Sequence, residues 1–82
     1  MTEYATIEDV GLCGDDWQIS FRRDDGSSGT LFVSKSVFAC WYRSEIGRSY
    51  RADHRAGRIA EQLERRRLKF WYEGTKGYWA LA

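Results

Sequence analysis

The chain has 82 residues, of which 43% are hydrophobic and 16% aromatic, and its net charge is only +1. This length predicts a single domain, residues 1–82, in which large rings supply much of a small core. The lack of proline excludes polyproline docking segments. No apolar run approaches the length of a membrane span, and the polar N-terminus is unlike a secretory signal. We therefore expect a cytoplasmic protein without a membrane partner.

The first part of the chain predicts three antiparallel strands. Residues 4–12 form a weak strand, followed by the turn-like CGDD. The segment DWQISFRR is the clearest strand, since Trp17, Ile19 and Phe21 alternate with polar residues. DDGSSG then predicts a hairpin loop, and TLFVS returns as the third strand. Together these segments predict a meander.

Two helices are predicted in the middle of the chain. SKSVFACWYRSEIG favours a short helix, with Ser34 or Ser36 as its N-cap and Gly47 at its end. A longer helix is predicted over residues 52–70, because Ala52, Ala56, Ile59, Ala60 and Leu63 recur at helical spacing. Its terminal arginine run would suit the negative end of the helix dipole.

The chain closes on LKFWYEGTKGYWALA, which predicts a hairpin with a loop between Gly74 and Gly77. The fold class is therefore α+β: an antiparallel sheet, made of the meander and the C-terminal hairpin, packed against one long and one short helix. Strand residues alternate between faces, so Trp71 should point away from Phe70 and Tyr72, and Tyr78 away from Trp79. Half of these rings should be core, and the others should face solvent or a partner.

No residue pattern indicates an enzyme. His54 is the only histidine and has no nucleophile signature around it. The paired aspartates lie in predicted turns, where Asp is favoured for its local hydrogen bonds. Cys13 and Cys40 are too few for a disulfide framework or a zinc site. The sequence leaves a single bridge between them open; we expect two reduced thiols, at least one of them packed as a small hydrophobe, and no metal or cofactor.

Charge is distributed unevenly along the chain. Residues 1–30 hold seven acidic and two basic residues, whereas residues 31–82 hold eleven basic and five acidic ones. The asymmetry indicates either an electrostatic partner or two halves that compensate each other in the fold.

Two charged surfaces follow from this distribution. The turn aspartates could imitate phosphates and occupy a nucleic-acid channel, or simply keep an edge strand from pairing. A basic ridge on the long helix could follow a phosphate backbone, dock on an acidic protein, or be an ordinary solvated face. Exposed rings beside it could stack nucleobases or form a protein interface. The ridge consists of Arg51, Arg55, Arg58, Gln62, Arg65, Arg66 and Lys69.

In size and character the chain resembles the small single-domain proteins with which bacteriophages inhibit host defence, anti-CRISPR proteins among them. The features that carry this resemblance are the turn aspartates, the Arg-rich segment RADHRAGRIAEQLERRR and the aromatic end FWYEGTKGYWALA. The resemblance spans the whole chain but rests on no shared motif, so it transfers no family residue to this sequence. It implies a non-enzymatic inhibitor, acting in a bacterial cytoplasm, that binds a nucleoprotein effector complex and occludes its nucleic-acid site by bulk or charge.

The alternative is a small nucleic-acid-binding accessory protein that uses the Arg-rich helix and exposed rings. Both interpretations draw on one set of candidate contact residues. These are Asp15, Asp16, Asp24, Asp25, Arg55, Arg58, Arg65, Trp71, Tyr72 and Tyr78.

Overall fold

Five strands and three short helices make up the fold in the computed structural model, which describes residues 2–82. The strands form one antiparallel sheet, which confirms the α+β prediction of a meander joined to a C-terminal hairpin. The strands are β1 (Glu3–Cys13), β2 (Asp16–Arg23), β3 (Ser28–Ser34), β4 (Arg67–Glu73) and β5 (Lys76–Leu81). Their order across the sheet is β3-β2-β1-β4-β5, so β1 pairs with both β2 and β4.

The short helix is confirmed as α1 (Lys35–Ile46). The Ser34 hydroxyl caps it by accepting a hydrogen bond from the Val37 amide, and Gly47 ends it in the left-handed conformation with φ 74°. One face of α1 is apolar, and it buries Phe38 and Tyr42 completely. Val37, in the first turn of α1, is exposed.

The prediction of one long helix over residues 52–70 is wrong. That segment holds the end of α2 (Tyr50–Arg55), the short α3 (Ile59–Leu63) and the start of β4. The break lies at Gly57, whose φ of 69° is left-handed. The Arg58 amide donates to the Asp53 carbonyl and the Gly57 amide to the His54 carbonyl, which is the hydrogen-bond pattern of a Schellman helix terminus.

The sign of the stability change in Gly57→Ala distinguishes a helix that breaks at Gly57 from one that continues through it. A side chain at a left-handed position costs about 1 kcal/mol, whereas Ala in place of Gly inside a helix is stabilising. We therefore expect Gly57→Ala to lower the free energy of unfolding, measured by urea denaturation. Gly11→Ala is the matched control, because Gly11 has no positive φ and no atom lies within 4 Å of its added methyl. A stabilised Gly57→Ala variant would instead fit a helix that continues through this position.

The arginine run after α3 is a turn and a strand rather than a helix end. Arg65 has a φ of 67°, and its amide donates to the Ile7 carbonyl at 2.8 Å. The Ile7 amide in turn donates to the Arg66 carbonyl at 2.9 Å. These bonds to β1 turn the chain out of α3 and into β4.

The core lies between one face of the sheet and the helices. Phe38 of α1 stacks on Trp17 of β2 with ring centroids 4.8 Å apart, and Trp41 packs on Trp79 of β5 at 4.6 Å. Ile59 and Leu63 of α3 complete this layer. Ala52 and Ala56, which were predicted in the apolar stripe, are exposed. Cys13 and Cys40 are both free, and both are exposed, so neither is packed as a small hydrophobe.

A buried carboxylate joins α1 to α2. Asp53 is only 4% exposed, and its carboxylate accepts bonds from the Tyr42 hydroxyl at 2.5 Å and from Arg48 Nε and Nη2 at 2.6 and 2.9 Å. The bonds from Arg48 and then Tyr42 lower the pKa of Asp53 to about 2. Burial, reinforced by the hydrogen bond to Asp53, raises the pKa of Tyr42. Nothing in the hydrophobic pattern of the sequence indicated this network.

Candidate nucleic-acid interface

The helices of residues 2–82 cover only the core side of the sheet, and they leave its opposite face uncovered. The alternation in β4 and β5 is as predicted: Phe70 and Trp79 pair across the two strands and pack against the core. Trp71 and Tyr78 form the next pair and therefore lie on the uncovered face. We call this side the open face.

Cationic and aromatic side chains form a cluster on the open face at its β4–β5 end. The Trp71 and Tyr78 rings stack with centroids 5.7 Å apart and planes 17° from parallel. Lys69 Nζ lies 5.6 Å from the centre of the Trp71 ring, and Lys76 Nζ lies 5.3 Å from that of Tyr78. The result is a half-buried ring pair with an ammonium group beside each ring.

Strand β1 extends this cluster. Tyr4 pairs with Lys69 across β1 and β4, so its ring lies on the same face, where it is 43% exposed. The Arg67 guanidinium lies 5.9 Å from the centre of the Tyr4 ring. We define the aromatic patch as Tyr4, Lys69, Trp71, Lys76 and Tyr78.

The charges of the patch lysines are not neutralised within residues 2–82. Neither Lys69 nor Lys76 lies within 4 Å of a carboxylate. Glu73 is opposite Lys76 in the β4–β5 register, but the two side chains do not form an ion pair. Arg67, at the patch border, is neutralised by a two-bond contact with Asp24 at 2.7 and 2.8 Å. The patch thus carries two free ammonium groups beside apolar rings.

Part of the predicted acidic surface is engaged in intramolecular contacts. Hydrogen bonds from Arg67 lower the pKa of Asp24, and those from Ser27 lower the pKa of Asp25. Asp15 lies 3.9 Å from Lys35, with its side chain fully exposed. Asp16 is exposed at the first position of β2. The contacts of Asp24 and Asp15 join the acidic and basic parts of the chain, so the fold partly compensates the asymmetry.

The remaining predicted contact residues lie elsewhere. Arg55 ends α2, Arg58 precedes α3, and Arg65 lies in the turn before β4, so the basic ridge is not one helix face. Tyr72 is on the helix-covered side of β4 yet is 69% exposed, because its ring lies over Gly77 beyond the core. Of the ten candidates, only Trp71 and Tyr78 belong to the aromatic patch.

His54 has a structural environment. Its ring stacks on Tyr50 and meets the edge of Trp17, each with centroids 5.5 Å apart. It makes no side-chain hydrogen bond within residues 2–82. Groups of three or more metal-ligating His, Cys, Asp or Glu side chains do not occur in that part of the chain.

Comparisons with protein-family models, with curated proteins and with solved structures found no match to this chain. Of the three helices within residues 2–82, none is long and apolar enough to cross a membrane.

Part of the aromatic patch was not predicted from the sequence. The helical pattern assigns Lys69 to the basic ridge, and no pattern identified Tyr4 or Lys76 as contact residues. The signal was present, since Arg67, Lys69 and Trp71 alternate along β4 as Lys76 and Tyr78 do along β5. The position of Tyr4 depends on the pairing of β1 with β4, which no local pattern specifies.

Proposed function

We propose that the protein is a non-enzymatic binding protein whose aromatic patch binds single-stranded nucleic acid. The stacked Trp71–Tyr78 pair on the open face, with a lysine beside each ring, carries this proposal. Base–aromatic stacking provides about 1–3 kcal/mol per base, and neighbouring cations interact with the phosphates. This is the accessory nucleic-acid-binding function that the sequence offered as an alternative, but the binding surface is the sheet rather than the Arg-rich helix.

A single strand fits the patch better than a duplex. In a duplex the base faces are stacked on one another and cannot contact a protein ring, whereas an unpaired base presents a free π-face. The open face also presents strands and rings, with no helix of residues 2–82 on that side to enter a major groove. We therefore infer that unpaired bases stack on the patch rings with little preference for nucleotide sequence.

The expectation of a phage-type inhibitor of a CRISPR–Cas-like complex stays a prediction, as does a bacterial cytoplasmic location. Asp24 and Asp25, two of the four acids that could imitate phosphates, are held by intramolecular hydrogen bonds, which disfavours occlusion by charge. A tagged pull-down from lysate containing such complexes, with and without nuclease, separates the two functions. Capture of the complex after nuclease would favour the inhibitor.

The salt dependence of binding tests the role of the lysines. We expect fluorescence anisotropy to show binding of a labelled single-stranded oligonucleotide that weakens linearly with the logarithm of salt concentration. Lys69→Gln and Lys76→Gln should each reduce the magnitude of that slope by about 0.7, the value for one single-strand phosphate contact. Lys35→Gln, distant on α1, is the matched control and should leave the slope unchanged.

The same titration with duplex of equal length provides the contrast. We expect duplex binding to be weaker at each salt concentration, since its bases cannot stack on the rings. Absence of oligonucleotide binding at low salt, or lysine variants with the wild-type slope, would contradict the proposal.

A further inference from the structure

A basic groove lies on the helical side of the molecule, away from the aromatic patch. It has a volume of about 810 Å³ and runs between the second half of α1 and the segment that leads into α2. Arg43, Arg48 and Arg51 line it, together with Cys40 and Ser49. No carboxylate lines the groove within residues 2–82.

Arg48 is held in place at this groove. Its Nε and Nη2 donate to the Asp53 carboxylate, which is itself buried and bonded by Tyr42. Its Nη1 makes no hydrogen bond within residues 2–82, and the side chain remains 42% exposed. A guanidinium fixed by one carboxylate can offer its other donors to an anion with little loss of side-chain entropy.

Arg43 and Arg51 supply uncompensated charge beside it. Both are exposed, and neither forms an ion pair or a side-chain hydrogen bond with the described part of the chain. Three guanidinium groups around one groove, of which only Arg48 is neutralised, generate a positive potential there. Such a cluster favours a multiply charged anion with several acceptor oxygens, and guanidinium matches phosphate by paired hydrogen bonds.

We propose that this groove is a second binding site, which takes a phosphate-bearing anion of nucleotide size. Its volume falls within the range of small-molecule sites. The phosphates could belong to a free nucleotide or to the terminal phosphate of a nucleic-acid strand, since both present the same oxygens. The site does not depend on the aromatic patch, because the two lie on opposite sides of the sheet.

The two free cysteines make the site directly measurable. Cys40 lines the groove, whereas Cys13 ends β1 and serves as the internal reference. We expect ATP to slow the alkylation of Cys40 by iodoacetamide severalfold and to leave the alkylation rate of Cys13 unchanged. Mass spectrometry measures both rates.

Calorimetric titration identifies the source of the phosphate. The probes are inorganic phosphate, ATP, and oligonucleotides with and without a 5′-phosphate. Tighter binding of ATP indicates a free nucleotide, and tighter binding of the 5′-phosphorylated oligonucleotide indicates a strand end.

The double variant Arg43→Gln/Arg51→Gln should weaken binding of the preferred probe by about tenfold or more, because charge-assisted hydrogen bonds to phosphate are lost. Arg65→Gln/Arg66→Gln removes the same charge outside the groove and should bind as the wild type does. Circular dichroism confirms that each variant is folded. Trp71→Ala should leave Cys40 protection intact, so failure of the groove and failure of the aromatic patch are distinguishable. The proposal is overturned if no phosphate probe binds or protects Cys40, or if the two double variants lose affinity equally.

Discussion

Trp71→Ala is expected to lower the affinity for single-stranded oligonucleotide by about fivefold to 150-fold. Truncation removes one stacking surface, for which alanine substitution costs about 1–3 kcal/mol per base. It also exposes the Tyr78 ring on one side and removes the aromatic partner of Lys69. Tyr78→Ala should act in the same direction. Fluorescence anisotropy titration at fixed salt measures both effects.

Two exposed rings outside the aromatic patch provide the controls. Tyr72→Ala alters the same hairpin but on the helix-covered side, and Phe32→Ala alters β3 at the opposite edge of the sheet. Both rings are more than 60% exposed, so their removal leaves the core intact. Affinity should remain near the wild-type value in both variants, and Trp71→Phe should retain most of it. Equal losses at Trp71, Tyr72 and Phe32 would contradict a localised stacking site.

Breaking the Asp53 network is expected to destabilise the fold markedly. Tyr42→Phe removes one hydrogen bond to a charged acceptor and should lower the free energy of unfolding by about 1.5–3 kcal/mol. Asp53→Asn should have the larger effect, because it leaves Arg48 without its counter-charge and disturbs the bonds of both partners. Urea denaturation measures both, with Asp16→Asn as an exposed aspartate control. Asp53→Asn unfolding like the wild type would contradict a stabilising network.

The same network makes stability depend on acid pH. The pKa of Asp53 is about 2 in the folded protein and 3.8 as its ordinary value. An unfolded chain therefore binds this proton more readily, so the contribution of Asp53 to stability is complete above about pH 4–5. It decreases as the pH falls and is lost below about pH 2. In Asp53→Asn the part of this acid-dependent loss that belongs to Asp53 should disappear, as measured by denaturation at several pH values. A wild-type pH profile in that variant would contradict the assignment.

The strands were predictable because their signals are local. DWQISFRR shows strict alternation and forms β2 over the predicted residues, and Ser34 and Gly47 bound α1 as their cap chemistry indicates. The split of Trp71 from Phe70 followed from the pleat alone. Since each of these features depends on neighbouring residues, one sequence was sufficient.

The features that the sequence did not reveal depend on tertiary contacts. The apolar spacing from Ala52 to Leu63 suggested one helix, but the left-handed Gly57 divides it and Ile7 draws the following turn onto β1. Asp53 gave no sign of burial, because its partners Tyr42 and Arg48 come from the preceding helix and loop. The aromatic patch required the β1–β4 pairing. Site residues were therefore predicted singly but not as an assembled surface.

The most direct test of the central claim is a backbone amide NMR titration of the protein with a short single-stranded oligonucleotide. We predict the largest chemical-shift changes on β4 and β5 around Trp71 and Tyr78, and at Tyr4 on β1. The indole N–H signal of Trp71 should also shift when the oligonucleotide binds. Small changes should occur on β3 and around Tyr72. Absence of shifts, or shifts that leave the Trp71–Tyr78 region unaffected, would contradict nucleic-acid binding by the open face.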